Sequence, residues 1–169
     1  MNAPAASVVV KDANIIIDLI NGKLLAAWLE PGITTFIPDM VESELKRGSQ
    51  WHDIHLLTAS KTIIVESIPA ADIPELLKLK RRHNVSVQDG SVLHLASIKN
   101  ARLLTGDRKL RLAAKRSEIE VSGVLWVLDT LVEEEVVSHQ QACEGLRLII
   151  HHGARLPIKQ VEERLERWS

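Results

Sequence analysis

Four carboxylates, Asp12, Glu44, Asp89 and Asp107, are the residues whose type and placement point most directly to chemistry. Asp12 follows the apolar run Ser7-Val8-Val9-Val10, and Asp107 follows Ala101-Arg102-Leu103-Leu104-Thr105-Gly106. Each is therefore expected at the carboxyl end of a buried strand. Asp89 stands before an apolar-periodic run that includes Leu93 and Ala96, and is expected to open a helix. Glu44 comes three residues after Val41 and next to Leu45, on or beside the inner side of a second helix. A carboxylate at the edge of a core is costly unless something positive compensates it, and a divalent cation would do so. Oxygen donors gathered at one edge would hold one or two hard cations, Mg²⁺ or Mn²⁺. Such ions position and acidify a water for in-line attack on a phosphodiester and stabilise the leaving oxygen. No side-chain nucleophile is then required. The chain has no Gly-x-Ser-x-Gly elbow and no phosphate-binding glycine-rich loop.

The elements that must position these acids alternate between two periods. Ser7–Val10, Thr34-Thr35-Phe36-Ile37, Thr62-Ile63-Ile64-Val65 and Ala101–Thr105 read as short buried strands, with a half-exposed one at Ile119–Gly123. Between them lie helical patterns. Ile16, Ile17, Ile20, Leu24 and Trp28 form one apolar face, Pro38-Asp39 opens a helix that stops near Gly48, and residues 72–82 form another. Strands separated by helices imply a parallel sheet with right-handed crossovers, and ligands of such sheets bind beyond the carboxyl ends of the strands. Distant acids are thereby brought to one edge. From Leu125 the pattern is all helical: a segment with Trp126, Leu128 and Leu131, a capping box at Ser138-His139-Gln140-Gln141, and a last stripe of Ile158, Val161, Leu165 and Trp168. That stripe is expected to pack on its own domain.

Other residues have plainer roles. Asp18 sits within the first helical pattern and reads as a solvated-face residue. His52 and His55 are three apart, but no third ligand with suitable spacing accompanies them, so surface or core histidines are the simpler reading. The basic end of the helix at Lys78-Leu79-Lys80-Arg81-Arg82-His83 is explained largely by the helix dipole. A second basic group, Arg108, Lys109 and Arg111 with Lys115-Arg116, directly follows Asp107, and cations beside a carboxylate crevice suit a nucleic-acid backbone. The 169 residues are 46% hydrophobic and 25% charged with a net charge of −1, ordinary for one globular domain. The lone Cys143 excludes an internal disulfide and is expected to be buried; a reducing cytoplasm follows as the simplest location. No run reaches the ~18 apolar residues of a membrane helix.

Taken in order, Val8-Val9-Val10-Lys11-Asp12-Ala13-Asn14, Ile37-Pro38-Asp39-Met40-Val41-Glu42-Ser43-Glu44-Leu45, Gln88-Asp89-Gly90-Ser91 through Ala96, and Leu103-Leu104-Thr105-Gly106-Asp107 resemble the PIN-domain family of metal-dependent ribonucleases, VapC-type toxins among them. The resemblance covers the region from Val8 to Gly123. It implies a three-layer α/β/α fold with a central parallel sheet, a nuclease domain over residues 1–124, and a C-terminal helical extension, 125–169, packed on the same domain. It also implies Asp12, Glu44, Asp89 and Asp107 as catalytic, metal-binding acids, Asn14 and Thr105 as their polar supports, and RNA as substrate. Arg108, Lys109 and Arg111 are expected to contact that RNA. An antitoxin protein and a second copy of the chain are the partners such a family suggests.

Two further readings stand beside it. A phosphatase of the haloacid-dehalogenase type would need a second Asp two residues after Asp12, where the chain has Asn14. A catalytically inactive binding or regulatory module on the same scaffold would use the acids for structure or regulation.

Overall fold

Short, mostly apolar runs form five parallel strands, and the intervening segments form helices that return the chain to the same edge. In the computed structural model, residues 7–10, 13–30, 33–49 and 51–169 are described. The strands are β1 (Ser7–Val10), β2 (Thr34–Pro38), β3 (Ile63–Glu66), β4 (Arg102–Leu104) and β5 (Val121–Ser122). Their order across the sheet is β3-β2-β1-β4-β5, every neighbouring pair parallel, with Val8 opposite Thr35 on one side and Arg102 on the other. β1 is thus central, and the chain leaves it at the edge where β2 and β4 also end.

The helices are α1 (Ala13–Asn21), α2 (Leu25–Leu29), α3 (Asp39–Leu45), α4 (Trp51–Ala59), α5 (Ile73–His83), α6 (Val87–Lys99), α7 (Arg108–Arg116), α8 (Val124–Glu133), α9 (His139–His151) and α10 (Ile158–Trp168). Side chains alternate across a strand, so adjacent residues serve opposite faces. Ile37 and Leu104 join a core with α1, α2, α4, α8, α9 and α10, while their neighbours Phe36 and Leu103 join a second core with α3, α6 and α7. This is a three-layer α/β/α fold.

The last three helices share the first of these cores: Leu128, Leu146, Val161 and Trp168 are buried in one cluster with Val8 and Leu19. Val161 and Trp168 of the terminal stripe pack inward as expected, whereas Ile158 at its start is 74% exposed. The expected capping box is present, with Ser138 Oγ accepting from the Gln141 amide (3.1 Å) and Gln141 Oε1 accepting from the Ser138 amide (2.8 Å). Such a box satisfies two amides that would otherwise lack partners. Cys143 is buried in this layer. Glycine permits one close helix approach. A Cβ on Gly145 of α9 would lie 2.5 Å from Leu24 Cδ1 and 3.1 Å from the Gly22 carbonyl oxygen.

The single helix read over Ile16 to Trp28 is two. Lys23 turns into the left-handed region (φ 57°), ending α1 and re-aiming the chain so that Leu24 and Trp28 reach the core from a new axis. Their apolar spacing continues across the break, which hid it from periodicity. No helix among the described residues is long and apolar enough to cross a membrane.

Candidate active site at the carboxyl edge of the sheet

Thr105 and Asp107 are locked together where β4 ends. Thr105 is fully buried; its Oγ1 accepts from the Asp107 amide (3.0 Å), and its own amide donates to the Ser122 carbonyl of β5 (3.0 Å). Asp107 caps α7, with Oδ1 accepting from the Leu110 amide (2.8 Å). A carboxylate at this point satisfies an amide with no partner within the helix and opposes the positive helix end. Its second oxygen carries no hydrogen bond among the described residues. Four residues into the chain beyond it, Arg111 folds back so that Nη1 donates to the Thr105 carbonyl (3.0 Å). Thr105 thus holds both a carboxylate and a cation at the mouth of the strand.

Asp89 approaches from α6, which precedes β4. The helix is capped by Ser86, whose Oγ accepts from the Asp89 amide (3.0 Å). Asp89 therefore stands within the first turn and not at the capping position expected for it. The reason is that serine three residues earlier is an equally good cap and the helix extends back to it. Asp89 is half-buried, and its charge lies against the positive end of α6.

Glu44 departs from expectation. It is exposed near the end of α3, while Val41 is buried and Glu42 is the shielded acid of the helix, paired with Lys46 at 3.2 Å. α3 ends at Leu45, so its inner face is set by Val41 and Leu45, and Glu44 rotates away from that line. The cost of burying a carboxylate consequently gives no argument for a cation at Glu44. Asp12 lies outside the described residues, between the last residue of β1 and the first of α1. Asn14, the second residue of α1, is exposed and lines the groove described next.

That groove, of about 970 Å³, runs from the ends of β4 and β5 across α1 to the linker between α9 and α10. Asn14, Asp18 and Asn21 line it from α1, and Thr105, Asp107, Arg108 and Arg111 from the start of α7. Trp126 of α8 contributes its half-buried ring, fixed edge-on against Trp28 (centroids 6.1 Å apart) and beneath the Arg102 guanidinium (4.6 Å). The third wall comes from residues 152–157 with Gln160 and Arg164. Of the three basic residues expected to face a nucleic acid, Arg108 and Arg111 line the groove; Lys109 is exposed but does not.

Two acids were missed by sequence reasoning. Asp18, read as a solvated-face residue, is half-buried and lines the groove because α1 is short and its polar face turns toward α7. Asp39, the first residue of α3, follows directly on β2, which borders β1. Its Oδ1 is buried and has no hydrogen-bond partner among the described residues. The signal was present in Pro38-Asp39 at a strand end, the pattern that singled out Asp107.

The donors on this edge are carboxylate, amide and hydroxyl oxygens, with no thiolate. This set suits a hard divalent cation. The uncompensated Asp39 oxygen is of the kind a cation would satisfy. Among the described residues no three His, Cys, Asp or Glu side chains form a metal-binding group.

A parallel α/β/α sheet with Asp107 following β4 and opening onto a groove places that groove where open sheets of this class bind their ligands, beyond the carboxyl ends of the strands. The comparison with known families narrows the class: a model described as PIN domain matches residues 8–169, and the chain belongs to that family, whose members are generally nucleases and generally use divalent metals. Among solved structures, PAE2754 from Pyrobaculum aerophilum superposes with a TM-score of 0.56 at 19% identity, over 78% of this chain and 99% of that one. At that identity the likeness concerns the fold. No curated protein matches the sequence.

Proposed function

We propose that the protein is a metal-dependent endoribonuclease that hydrolyses RNA phosphodiester bonds. The observation that carries this reading is the groove at the ends of β4 and β5, onto which Asp18 of α1 and Asp107 at the start of α7 open between walls that carry arginines. Asp89 and Asp107, together with Asp12, would hold Mg²⁺ or Mn²⁺, with Asp39 and Glu44 as further oxygen donors. When bound, the ion supplies a more acidic water and charge stabilisation at the phosphate. The protein's own part is positional. Thr105 holds Asp107 and Arg111 in register, Asn14 offers an amide to the same groove, and Arg108 and Arg111 offset the phosphate charge.

In this reading residues 125–169 extend the nuclease unit of residues 1–124 by completing its groove. A toxin acting on cytoplasmic RNA, restrained by an antitoxin, is the narrower form of the same proposal. The test is incubation of purified protein with structured and single-stranded RNAs in Mg²⁺, Mn²⁺ or EDTA. Cleavage that needs the metal and stops with EDTA is expected. Absence of cleavage across the panel would favour a binding module.

A further inference from the structure

The linker joining α9 to α10 contributes a wall to the groove, and its residues alternate in a way that fixes one cation there. Ala154 and Leu156 pack against the main core, while Arg155 between them is exposed and lines the groove. The linker is held at both ends: Gly153 takes a turn at φ +98°, a conformation that favours glycine, and Pro157 caps α10. Arg155 is therefore presented by anchored backbone.

The other arginines on the groove are differently occupied. Arg164 donates from Nε to both oxygens of Asp129 (3.1 and 3.0 Å) and from Nη1 to the Gln160 carbonyl (3.0 Å). Arg111 serves the Thr105 carbonyl (3.0 Å). Arg108 on the α7 wall and Arg155 on the linker wall have no carboxylate partner among the described residues. Asp18 and Asp107 line the same groove and repel any polyanion that enters it. A phosphate chain can occupy the groove only where cations offset that repulsion.

On the basis of the nuclease reading, we propose that Arg155 is a phosphate-binding residue for single-stranded RNA. With Arg108 it grips a strand that lies along the groove beyond the acids. A single strand is favoured because its flexible backbone can follow the groove between the α7 wall and the linker wall, each of which offers it a cation. The C-terminal helices would then serve substrate positioning as well as stability.

The test is fluorescence anisotropy of a labelled 12-nucleotide single-stranded RNA, as a probe of about that length, in EDTA so that no hydrolysis occurs. The full chain is compared with Arg155→Ala and with Arg147→Ala, an exposed arginine of α9 outside the groove. Arg155→Ala is expected to weaken binding roughly fivefold at low salt and to lower the slope of log K against log salt by about 0.7, the value for one phosphate on a single strand. Arg147→Ala is expected to match wild type. Equal affinity and slope for wild type and Arg155→Ala would overturn the proposal, as would wild type that does not bind, or that prefers a duplex. Failure of the nuclease reading is separable: Arg155-dependent binding by a protein that cuts nothing sustains this inference and removes the other.

Discussion

Asp107 does two jobs that a pair of substitutions can separate. As helix cap it holds the Leu110 amide, and as an acid it faces the groove. Asparagine caps as well as aspartate, whereas alanine does not. Asp107→Asn is therefore expected to keep the wild-type melting temperature and lose metal-dependent cleavage. Asp107→Ala is expected to lose cleavage and about 1 kcal/mol of stability, read by denaturant unfolding. Equal cleavage by Asp107→Asn and wild type would remove this residue from the site. His83 gives a pH prediction. Burial, and then Arg82 and Arg116, hold its imidazole below the usual 6.5, and its Nε2 meets Ser117 Oγ at 2.9 Å. The unfolded chain then binds the proton more readily than the folded one, so stability falls as pH drops below about 6.5 toward the lowered folded value. His83→Gln should flatten that shallow slope in melts between pH 7 and pH 5; an unchanged slope would assign it elsewhere. At this scale the sequence was legible where an acid ended a strand, as at Asp107, and misleading where a short helix carried one. Asp18 and Glu44 both depend on how far α1 and α3 rotate before they stop, which three-residue spacing does not reveal.

Short elements deliver the acids to the edge, and their ends were set by single residues. Ser86 caps α6 and moves its start back, so that Asp89 enters the first turn. Lys23 divides α1 from α2 in a left-handed turn that the uninterrupted apolar spacing concealed. The strands and the long amphipathic helices were legible because their buried faces follow one period throughout; the divided helix was not, because two axes shared one pattern. The contact between α1 and α9 rests on Gly22 and Gly145. A methyl group on Gly145 would collide with Leu24 and approach the Gly22 carbonyl. Gly145→Ala is expected to cost about 1–3 kcal/mol by forcing these helices apart, measured as a lower midpoint in urea. Since α1 and the linker that follows α9 both line the groove, RNA affinity should fall with it. A variant as stable as wild type would mean that Leu24 repacks freely.

Across the whole molecule, the alternation of strands and helices made the parallel α/β/α class legible, but the strand order did not follow from it. That order depends on which way each crossover runs, and it is what sets β2 and β4 on either side of β1. It also sets which strand ends lie side by side, and so which acids the proposed site can draw on. The C-terminal helices read as an extension, yet nothing in their periodicity indicated that the linker between α9 and α10 would wall the groove. In the proposed function the acids perform the chemistry while the groove holds the strand. The most direct measurement follows cleavage and binding of one single-stranded RNA by wild type and Asp89→Asn in Mn²⁺. Asp89→Asn is expected to bind within about twofold of wild type, since charge is removed with little change in volume, and not to cleave. Cleavage by Asp89→Asn at the wild-type rate would contradict it.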